Sequence, residues 1–411
     1  MRQVRYHEGD MARLAWLLMA LAPVSLLAQA QVGNCSVFPA RNIWNVPIDK
    51  LPVHPDSALF IATEGPSLPL HPDFGANGSI PFSVVPGSQP KVPISFTDGE
   101  SDPGPYPIPP QAPIEAGDGH TIVLTQDECK LYEVYQAQPN SDGSWTGGTG
   151  AVFDLRQNLL RLDGWTSADA AGLPIFPGLV RYDEVASGQI LHALRFSLPQ
   201  TNDSYVWPAR HYASHLDGEK YPPMGQRFRL KAGYDISGFD PTVQVILQAL
   251  KTYGMMLADN GSAWFITGAP DARWNDDILQ QITRVMGADL EAVDVSSLQA
   301  APNSTLATDP NGSNRAAVAF SATPVFDASA AATQSLTLTG DVTASTIANL
   351  SDGQTVSFLI CQDAAGGHAF AWPSNVQGGM QVGTAAGTCS AQTFVGNGSK
   401  LYATTPGVAN M

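Results

Sequence analysis

The stretch Thr121-Ile122-Val123-Leu124, followed after a short turn by Lys130-Leu131-Tyr132-Glu133-Val134-Tyr135, decides the fold class. Both runs are rich in β-branched and aromatic residues, which is typical of strands. Residues 151–155 and 228–234 predict two further strands. The chain also contains 38 glycines and 32 prolines but only 14% charged residues, a composition typical of loop-rich β proteins. We therefore expect a mainly β fold with a jelly-roll-like or sandwich-like first module.

Two helices are predicted to pack on this β structure. Asp240 is suited to cap a helix and Pro241 to occupy its first turn, and apolar residues then recur at helical spacing as far as Tyr253. Gly254 can end that helix in a left-handed conformation. The second helix is expected over residues 276–286, with Asn275 as its cap and Gly287 after its end.

Two hairpins are also predicted. Residues 179–185 and 190–196 form alternating runs on either side of the turn at residues 186–189. Residues 255–258 and 264–267 flank Asn260-Gly261, a dipeptide that favours hairpin turns. By contrast, the proline-rich segment 101–113 predicts an extended surface loop, because it cannot form a helix or a central strand.

The ends of the chain predict export and a second module. Arg13 precedes an apolar run from Leu14 to Leu27 that ends in Ala28-Gln29-Ala30, a pattern typical of a signal peptide, although a membrane anchor is an alternative. We expect a secreted protein, extracellular or periplasmic. The predicted division is a signal peptide at residues 1–30, a main domain at 31–295, a linker at 296–315 and a C-terminal β-sandwich at 316–411.

The four cysteines of the predicted mature chain indicate disulfides, because their number is even and the chain is expected to be exported. The sequence alone allows three pairings. Proximity along the chain and the module boundary favour Cys35 with Cys129 and Cys361 with Cys389.

Charge and motifs exclude several classes of function. A net charge of −16 argues against binding nucleic acid or an anionic membrane, which require basic surfaces. Motifs for nucleotide cofactors, metalloproteases and nucleophile-elbow hydrolases are missing. His211 and His215 have the spacing of helical metal ligands, but Pro208 makes a helix there improbable. We predict no cofactor and no metal, although convergence of histidines from separate strands stays open.

The first predicted hairpin yields a candidate catalytic pair. If Val185 faces Ile190, Asp183 faces His192, and a carboxylate beside an imidazole can act as a general acid or base. A register slip of one residue would place Glu184 opposite His192 instead. Only one of the two carboxylates can share a face with His192, because successive side chains in a strand point to opposite faces.

Other polar and aromatic side chains complete the predicted site. The carboxylates considered are Asp73, Asp118, Asp154, Asp169, Asp183 and Glu184. The predicted catalytic residues are Asp183 and His192, with Glu184, Asp169, Asp118, His120 and His211 as neighbours. The predicted substrate-binding residues are Arg181, Tyr182, Arg195, Trp165 and Trp207. Trp264 is a further candidate for an exposed aromatic ring on which a sugar could stack.

Two parts of the chain resemble known bacterial proteins. The block Gly164–Phe196, with Gly-Trp-Thr-Ser, Pro-Gly-Leu-Val-Arg-Tyr-Asp-Glu-Val and His-Ala-Leu-Arg-Phe, resembles secreted bacterial proteins of unassigned function over residues 35–295. Residues 316–411, with Leu338–Thr343, Phe358–Asp363 and Phe370–Pro373, resemble a C-terminal β module of bacterial surface and phage-tail-like proteins. The second resemblance implies attachment or adhesion rather than catalysis.

Together these features predict a secreted carbohydrate-active enzyme. The first choice is a glycoside hydrolase that acts on a polysaccharide through two carboxylates. One alternative is a polysaccharide lyase with a histidine or Tyr182 as base, in which Arg181 or Arg195 neutralises a uronate. Another is a non-catalytic protein that binds glycans or cell surfaces.

Overall fold

The computed structural model describes residues 30–308 and 315–411. The predicted signal peptide therefore lies outside the described residues apart from Ala30, as do residues 309–314 of the predicted linker. In the part of the chain that is described, no helix has both the length and the apolar character needed to cross a bilayer.

The described residues form a mainly β structure, as predicted. The helices are α1 (Ser57–Glu64), α2 (Tyr182–Ala186), α3 (Pro241–Thr252) and α4 (Asp276–Leu279). The strands of the first module are β1 (Gln31–Val32), β2 (Cys35–Ser36), β3 (His71–Asp73), β4 (Phe82–Val85), β5 (Ile94–Phe96), β6 (Thr121–Thr125), β7 (Lys130–Tyr135), β8 (Gln138–Pro139), β9 (Trp145–Gly147), β10 (Thr149–Asp154), β11 (Leu194–Leu198), β12 (Arg227–Leu230), β13 (Met255–Asn260), β14 (Phe265–Thr267) and β15 (Leu290–Val293). Those of the C-terminal module are β16 (Arg315–Val318), β17 (Val325–Asp327), β18 (Thr333–Leu338), β19 (Thr346–Ala348), β20 (Asp352–Gln362), β21 (Val376–Gln377), β22 (Cys389–Asn397) and β23 (Leu401–Ala403).

Two sheets share the main core of the first module. One has the strand order β10-β7-β6-β4 and the other β15-β12-β13-β11-β14-β3. Side chains from both, including Ile122 and Leu131 from the first and Phe196 and Phe228 from the second, belong to one buried cluster. The opposite face of the four-stranded sheet buries Val123 in a second cluster with side chains of the sheet β5-β9-β8. Coverage of both faces explains why β6 is apolar at consecutive positions.

Helix α3 begins and ends close to the predicted residues. The side chain of Asp240 accepts a hydrogen bond from the backbone N–H of Thr242 (2.9 Å), and Gly254 adopts the left-handed conformation with φ of 66°. The second predicted helix is shorter than expected. Asn275 caps α4 as predicted, but the helix changes to a 3₁₀ helix over Gln280–Arg284.

The predicted hairpin at residues 179–196 is wrong. Its first half contains α2, and only Leu194–Leu198 of its second half becomes a strand. Val180 instead forms a parallel bridge with Gly268. The short helix is stabilised by tertiary contacts that no local pattern reveals, because it buries Val185 and turns Glu184 towards Arg181.

The hairpin predicted around Asn260-Gly261 is also wrong. The two flanking runs are strands, β13 and β14, but β11 lies between them and pairs with both. Its pairing with β13 is parallel, whereas its pairing with β14 is antiparallel. The chain therefore leaves one side of β11 and returns on the other, which places β11 near the centre of the sheet.

Both favoured disulfides are present. Cys35 bonds to Cys129, which ties the N-terminal segment to the end of the β6–β7 turn. Cys361 bonds to Cys389 across the antiparallel pair β20–β22, where the two residues are directly opposite. Two disulfides are compatible with an oxidising compartment such as the cell exterior.

The C-terminal module is rich in sheet and has its own core. Six strands have the order β16-β18-β20-β22-β23-β21, and β17 pairs with β19. Phe326, Phe358 and Phe394 are buried within it, and their rings make edge contacts with centroids 5.1 and 5.6 Å apart. The described part of the predicted linker packs on the first module, where Ala307 N–H donates to the carbonyl of Arg41 (2.8 Å).

A buried carboxyl at the end of α1 yields a prediction for stability. Glu64 is only 2% exposed, and neither oxygen of its carboxyl group has a partner in normal hydrogen-bond geometry. Burial raises its pKa to about 7, and the nearby backbone N–H of Gln200 offsets only part of that effect. Because the folded pKa exceeds the unfolded one, the protonated form stabilises the fold, and this contribution is lost as pH rises through 7.

We expect Glu64→Gln to unfold at a higher temperature than the wild type at pH 8, because glutamine cannot ionise. The difference in unfolding free energy should be about 3 kcal/mol at pH 8 and should disappear near pH 4. Denaturant unfolding across this pH range measures it, with Glu219→Gln as a control at an exposed carboxylate. Equal behaviour of the two variants at pH 8 would contradict the prediction.

Candidate functional site

Arg195 is the centre of a buried polar cluster on the six-stranded sheet. Its Nε and Nη2 donate to the two carboxylate oxygens of Asp169 at 2.6 and 2.8 Å. Nη2 also donates to Asp259 (3.0 Å), and Nη1 donates to the hydroxyl of Thr267 (2.7 Å). The paired fork geometry makes the Asp169 contact strong and directional. The arginine therefore holds two carboxyl groups close to each other.

A β-bulge places Asp259 in this cluster. Phe196 of β11 pairs with Leu257 of β13, but the next residue, Ser197, pairs with Asp259. The extra residue, Ala258, shifts the register, so that Asp259 lies on the sheet face shared by Ser197 and Arg195. Without the bulge, Ala258 would occupy that position. The sheet irregularity thus directs a carboxyl towards the arginine.

The segment that carries Asp169 is fixed by its own hydrogen bonds. The backbone N–H of Asp169 donates to the hydroxyl of Ser167 (2.9 Å), and that hydroxyl donates to the carbonyl of Leu173 (2.6 Å). The N–H of Ala171 donates to the carbonyl of Ala258, next to Asp259 (2.9 Å). This loop and strand β13 are therefore joined where their carboxyl groups meet Arg195.

His120 and Glu115 form an ion pair at the edge of the cluster. Nδ1 of His120 is hydrogen bonded to Oε2 of Glu115, and Nε2 lies 3.0 Å from the carbonyl of Ala168. Both ring nitrogens face acceptors, which favours the protonated imidazole. Burial alone would lower the pKa of His120, but Glu115 outweighs it and raises the pKa. Burial likewise opposes ionisation of Glu115, yet His120 lowers its pKa.

The pKa of Asp259 is displaced in the opposite direction from that of Glu115. Burial, followed by repulsion from Asp169, raises the pKa of Asp259 to about 7, although Arg195 and His120 oppose this. The charge of Arg195 is already balanced by Asp169. Arg195 therefore stabilises the ionised form of Asp259 less than it would without Asp169. Side chains of both Asp259 and Glu115 reach the surface, at 23% and 16% exposure. Two partly exposed carboxyl groups of the same polar cluster therefore have pKa values displaced in opposite directions.

Three further carboxyl groups surround this pair. Asp73 and Asp118 are exposed, and Asp118 acts electrostatically on Asp73. Loss of hydration against the neighbouring protein raises the pKa of Asp73, and Arg195 opposes this, while Glu115 and Asp118 each add a smaller repulsion. Glu133, which acts electrostatically on Asp169 and His120, is completely buried, and burial raises its pKa to about 7 although it accepts hydrogen bonds from the N–H groups of Phe176 and Ile175.

The predicted Asp183–His192 pair does not exist, because the hairpin that would create it is absent. His192 instead contacts Glu184, with Nε2 3.2 Å from Oε2, and Arg181, with Nη2 3.0 Å away. Arg181 also donates to Glu184 (2.8 Å). His192 is fully buried. Burial opposes ionisation of Glu184, but Arg181 and the hydrogen bond with His192 outweigh it and lower the pKa of Glu184 to about 2, and its side chain is 13% exposed. This separate cluster resembles a structural ion pair more than a site open to a polymer.

Asp183 and Tyr182 lie away from both clusters. The side chain of Asp183 is 82% exposed and forms an ion pair with Arg273 (2.8 Å). The guanidinium carbon of Arg273 lies 4.3 Å from the ring centroid of Tyr182, which also packs edge-on against Trp274. The carboxylate expected at the centre of the site is thus in contact with solvent.

The remaining predicted residues occupy other positions. Trp165 and Trp207 are half-buried, with the indole N–H of Trp207 donating to the carbonyl of Ser304 (2.7 Å). Trp264 is fully buried in the core, so its expected exposure was wrong. His211 lies 2.7 Å from the carbonyl of Ala170, and its segment is not helical, so the His211–His215 helical spacing is not realised.

The structure thus brings together four predicted residues, Asp118, His120, Asp169 and Arg195, and adds Glu115 and Asp259, which were not predicted. Asp259 directly follows the apolar run Met255–Ala258, and a carboxylate at the end of a buried strand was a usable signal. For Glu115 we find no comparable signal. Within residues 30–308 and 315–411, no group of three or more metal-binding side chains is arranged to hold an ion.

Comparison with known proteins characterises only the C-terminal module. Residues 322–401 match the family model described as "Putative phage tail fibre C-terminal domain", which supports the resemblance noted from the sequence. No curated protein matches the chain, and no solved structure does. The resemblance of residues 35–295 to secreted bacterial proteins is not supported by any of these matches, so the first module is characterised by its own geometry.

Proposed function

We propose that the first module is a glycoside hydrolase of a secreted protein and that its acid/base cleft contains Asp259 and Glu115. One arrangement carries the proposal: Asp259 shares Arg195 with a second carboxylate, whereas Glu115 is bonded to His120, and these partners displace the two pKa values in opposite directions. Such divergence is typical of the acid and the ionised carboxylate in glycosidases. The proposal keeps the acid/base hydrolysis expected from the sequence, but it assigns the chemistry to Asp259 and Glu115 instead of Asp183 and His192.

In this proposal Asp259 is the general acid. Its proton passes to the glycosidic oxygen as the bond from that oxygen to the anomeric carbon breaks. Glu115, ionised through His120, faces the positive charge that develops on the sugar ring. Water then adds to the anomeric carbon and gives its proton to the Asp259 carboxylate in a retaining enzyme or to Glu115 in an inverting one. Arg195 positions Asp259, while the fully buried Asp169 neutralises the arginine. The stereochemical course depends on how far apart the two carboxyl groups lie in the substrate complex.

A lyase is less well supported than a hydrolase. Lyase chemistry on uronates needs a cation that is free to neutralise the substrate carboxylate. Both arginines expected to do this are buried and already bonded to carboxylates, Arg181 to Glu184 and Arg195 to Asp169. Tyr182, the alternative base, lies against Arg273 instead of in the cleft.

A polysaccharide panel at graded pH tests the proposal. We expect reducing ends without unsaturated products, and a rate that falls as pH rises through about 7, because Asp259 must hold its proton. Below pH 7 the rate should stay high until Glu115 becomes protonated, at a pH below the ordinary glutamate range. Unsaturated products, or a rate that increases above pH 8, would contradict this mechanism.

The second candidate function is attachment to a cell surface or glycan. Its support is the similarity of residues 322–401 to the phage tail fibre family. Attachment and hydrolysis are compatible in one chain, since the C-terminal module has a core of its own. In the panel, binding to a polysaccharide without any product would favour attachment as the sole function.

A further inference from the structure

A cavity of about 300 Å³ lies beside Asp73, at the rim of the proposed catalytic cleft. One wall is the loop that follows β3, residues 74–79, and the other contains Asp276, Leu279 and Gln280. Small-molecule pockets commonly measure about 300–1,000 Å³. The size therefore suits a single sugar ring better than a long stretch of chain.

The loop is fixed against the opposite wall. The N–H of Ala76 donates to Oδ1 of Asp276 (3.0 Å). A Cβ atom on Gly75 would lie only 2.5 Å from the same oxygen, so a larger residue would displace the Asp276 carboxylate from this contact. The cavity is thus a formed feature of the fold, in which the loop position depends on a specific contact.

Groups that could contact a ligand remain unused inside it. Ser79 lines the cavity with the unusual φ of 89°, and its hydroxyl has no hydrogen-bond partner, although it is shielded from solvent in this conformation. Strained residues of this type are concentrated at binding sites. Among the described residues, no cation forms an ion pair with Asp73 or Asp276. The two carboxylates can therefore accept hydrogen bonds from a ligand.

The charge of the cavity restricts the ligand class. Its lining contains Asp73 and Asp276 but no lysine, arginine or histidine. Beyond the lining, Arg195 and His71 act on Asp73 as cations and Glu115 and Asp118 as anions, and Arg195 is already bonded to Asp169 and Asp259. A uronate ring would be repelled, whereas an ammonium group would gain charge-assisted hydrogen bonds.

We infer that this cavity is a subsite for one amino-sugar ring, bound through its ammonium group between Asp73 and Asp276. The inference rests on the proposed function, because it names the substrate class of the same cleft. Phe74 and Leu279 supply the apolar part of the wall on which a ring can pack. The substrate is then a cationic glycan, not a polyuronate.

Binding to the Asp259→Asn protein tests this without turnover. We expect a glucosamine hexamer to bind at least ~10-fold more tightly than cellohexaose in calorimetry at low salt, with no binding of a galacturonate hexamer. The advantage over cellohexaose should shrink in 0.5 M NaCl, because salt screens the carboxylates. Asp276→Asn should lower the affinity for the glucosamine hexamer about 10-fold.

Asp277→Asn is the matched control, because Asp277 adjoins Asp276 in α4 but does not line the cavity. Equal losses in the two variants, tight binding of the galacturonate, equal affinity for cellohexaose or no binding at all would each overturn the inference. Hydrolysis of a polyuronate by the wild type would overturn the inference and leave the hydrolase proposal intact. Tight, salt-sensitive glucosamine binding without hydrolysis of any glycan would support the subsite and remove the hydrolase proposal.

Discussion

Replacement of Asp259 by asparagine is expected to slow hydrolysis of a natural glycan by about 10²–10⁴-fold. Asparagine has the shape of the protonated carboxyl but cannot transfer a proton. Arg195 Nη2 and the Asn260 N–H bond to different oxygens of Asp259, so the single amide oxygen of asparagine can keep one of these two contacts. We expect the fold to be retained at pH 6, where Asp259 is itself largely protonated, with a loss of about 1 kcal/mol for the missing hydrogen bond. Initial rates and thermal unfolding at pH 6 measure the two effects.

The leaving group separates general-acid catalysis from a structural effect. An aryl glycoside with an acidic phenol needs little protonation, so Asp259→Asn should lose much less activity on it than on a natural glycan. Asp183→Asn is the control, because this exposed carboxylate was expected at the site and lies outside it. Uniform loss on both substrates, or equal loss in Asp183→Asn, would argue against Asp259 as the acid.

Replacement of Arg195 by methionine is expected to destabilise the first module by about 3–5 kcal/mol. The change leaves the Asp169 carboxylate, whose side chain has no exposure, without its partner inside the core. Thr267 also loses the donor to its hydroxyl. The unfolding temperature should fall by about 10 °C, measured by calorimetry.

A double variant keeps this prediction testable if the single variant fails to fold. Arg195→Met combined with Asp169→Leu removes both charges, and we expect it to recover most of the lost stability, because apolar replacement of a buried pair is often close to neutral. Arg156→Met is the control, since Arg156 is 53% exposed in its pair with Asp154 and should cost less than about 1 kcal/mol. A double variant no more stable than the single one would contradict the explanation.

Local patterns predicted the elements whose stability is mainly local. Helix α3 has its cap, its first-turn proline and its terminal glycine within the segment itself. Strands β6 and β7 are joined by a short turn, so that each finds its partner nearby in the chain. The two disulfides followed chain proximity and the module boundary.

The two hairpin predictions were wrong because a strand can pair with distant segments of the chain instead of with its neighbour in sequence. β11 pairs with β13 and β14, both far along the chain, instead of with the segment just before it. That preceding segment becomes α2, because Val185 and Glu184 find partners in the folded core. The predicted Asp183–His192 pair was lost with its hairpin.

By itself the sequence determined a mainly β chain with two disulfides, a capped central helix and a C-terminal module that is similar to a phage tail fibre domain. The tertiary structure alone decided the candidate site. Arg195 contacts carboxylates 26 and 64 residues away, one carried by a loop and the other directed inward by a bulge in a parallel strand pair. Sequence periodicity reports which face of an element is buried, but the partner of each face is chosen by long-range packing.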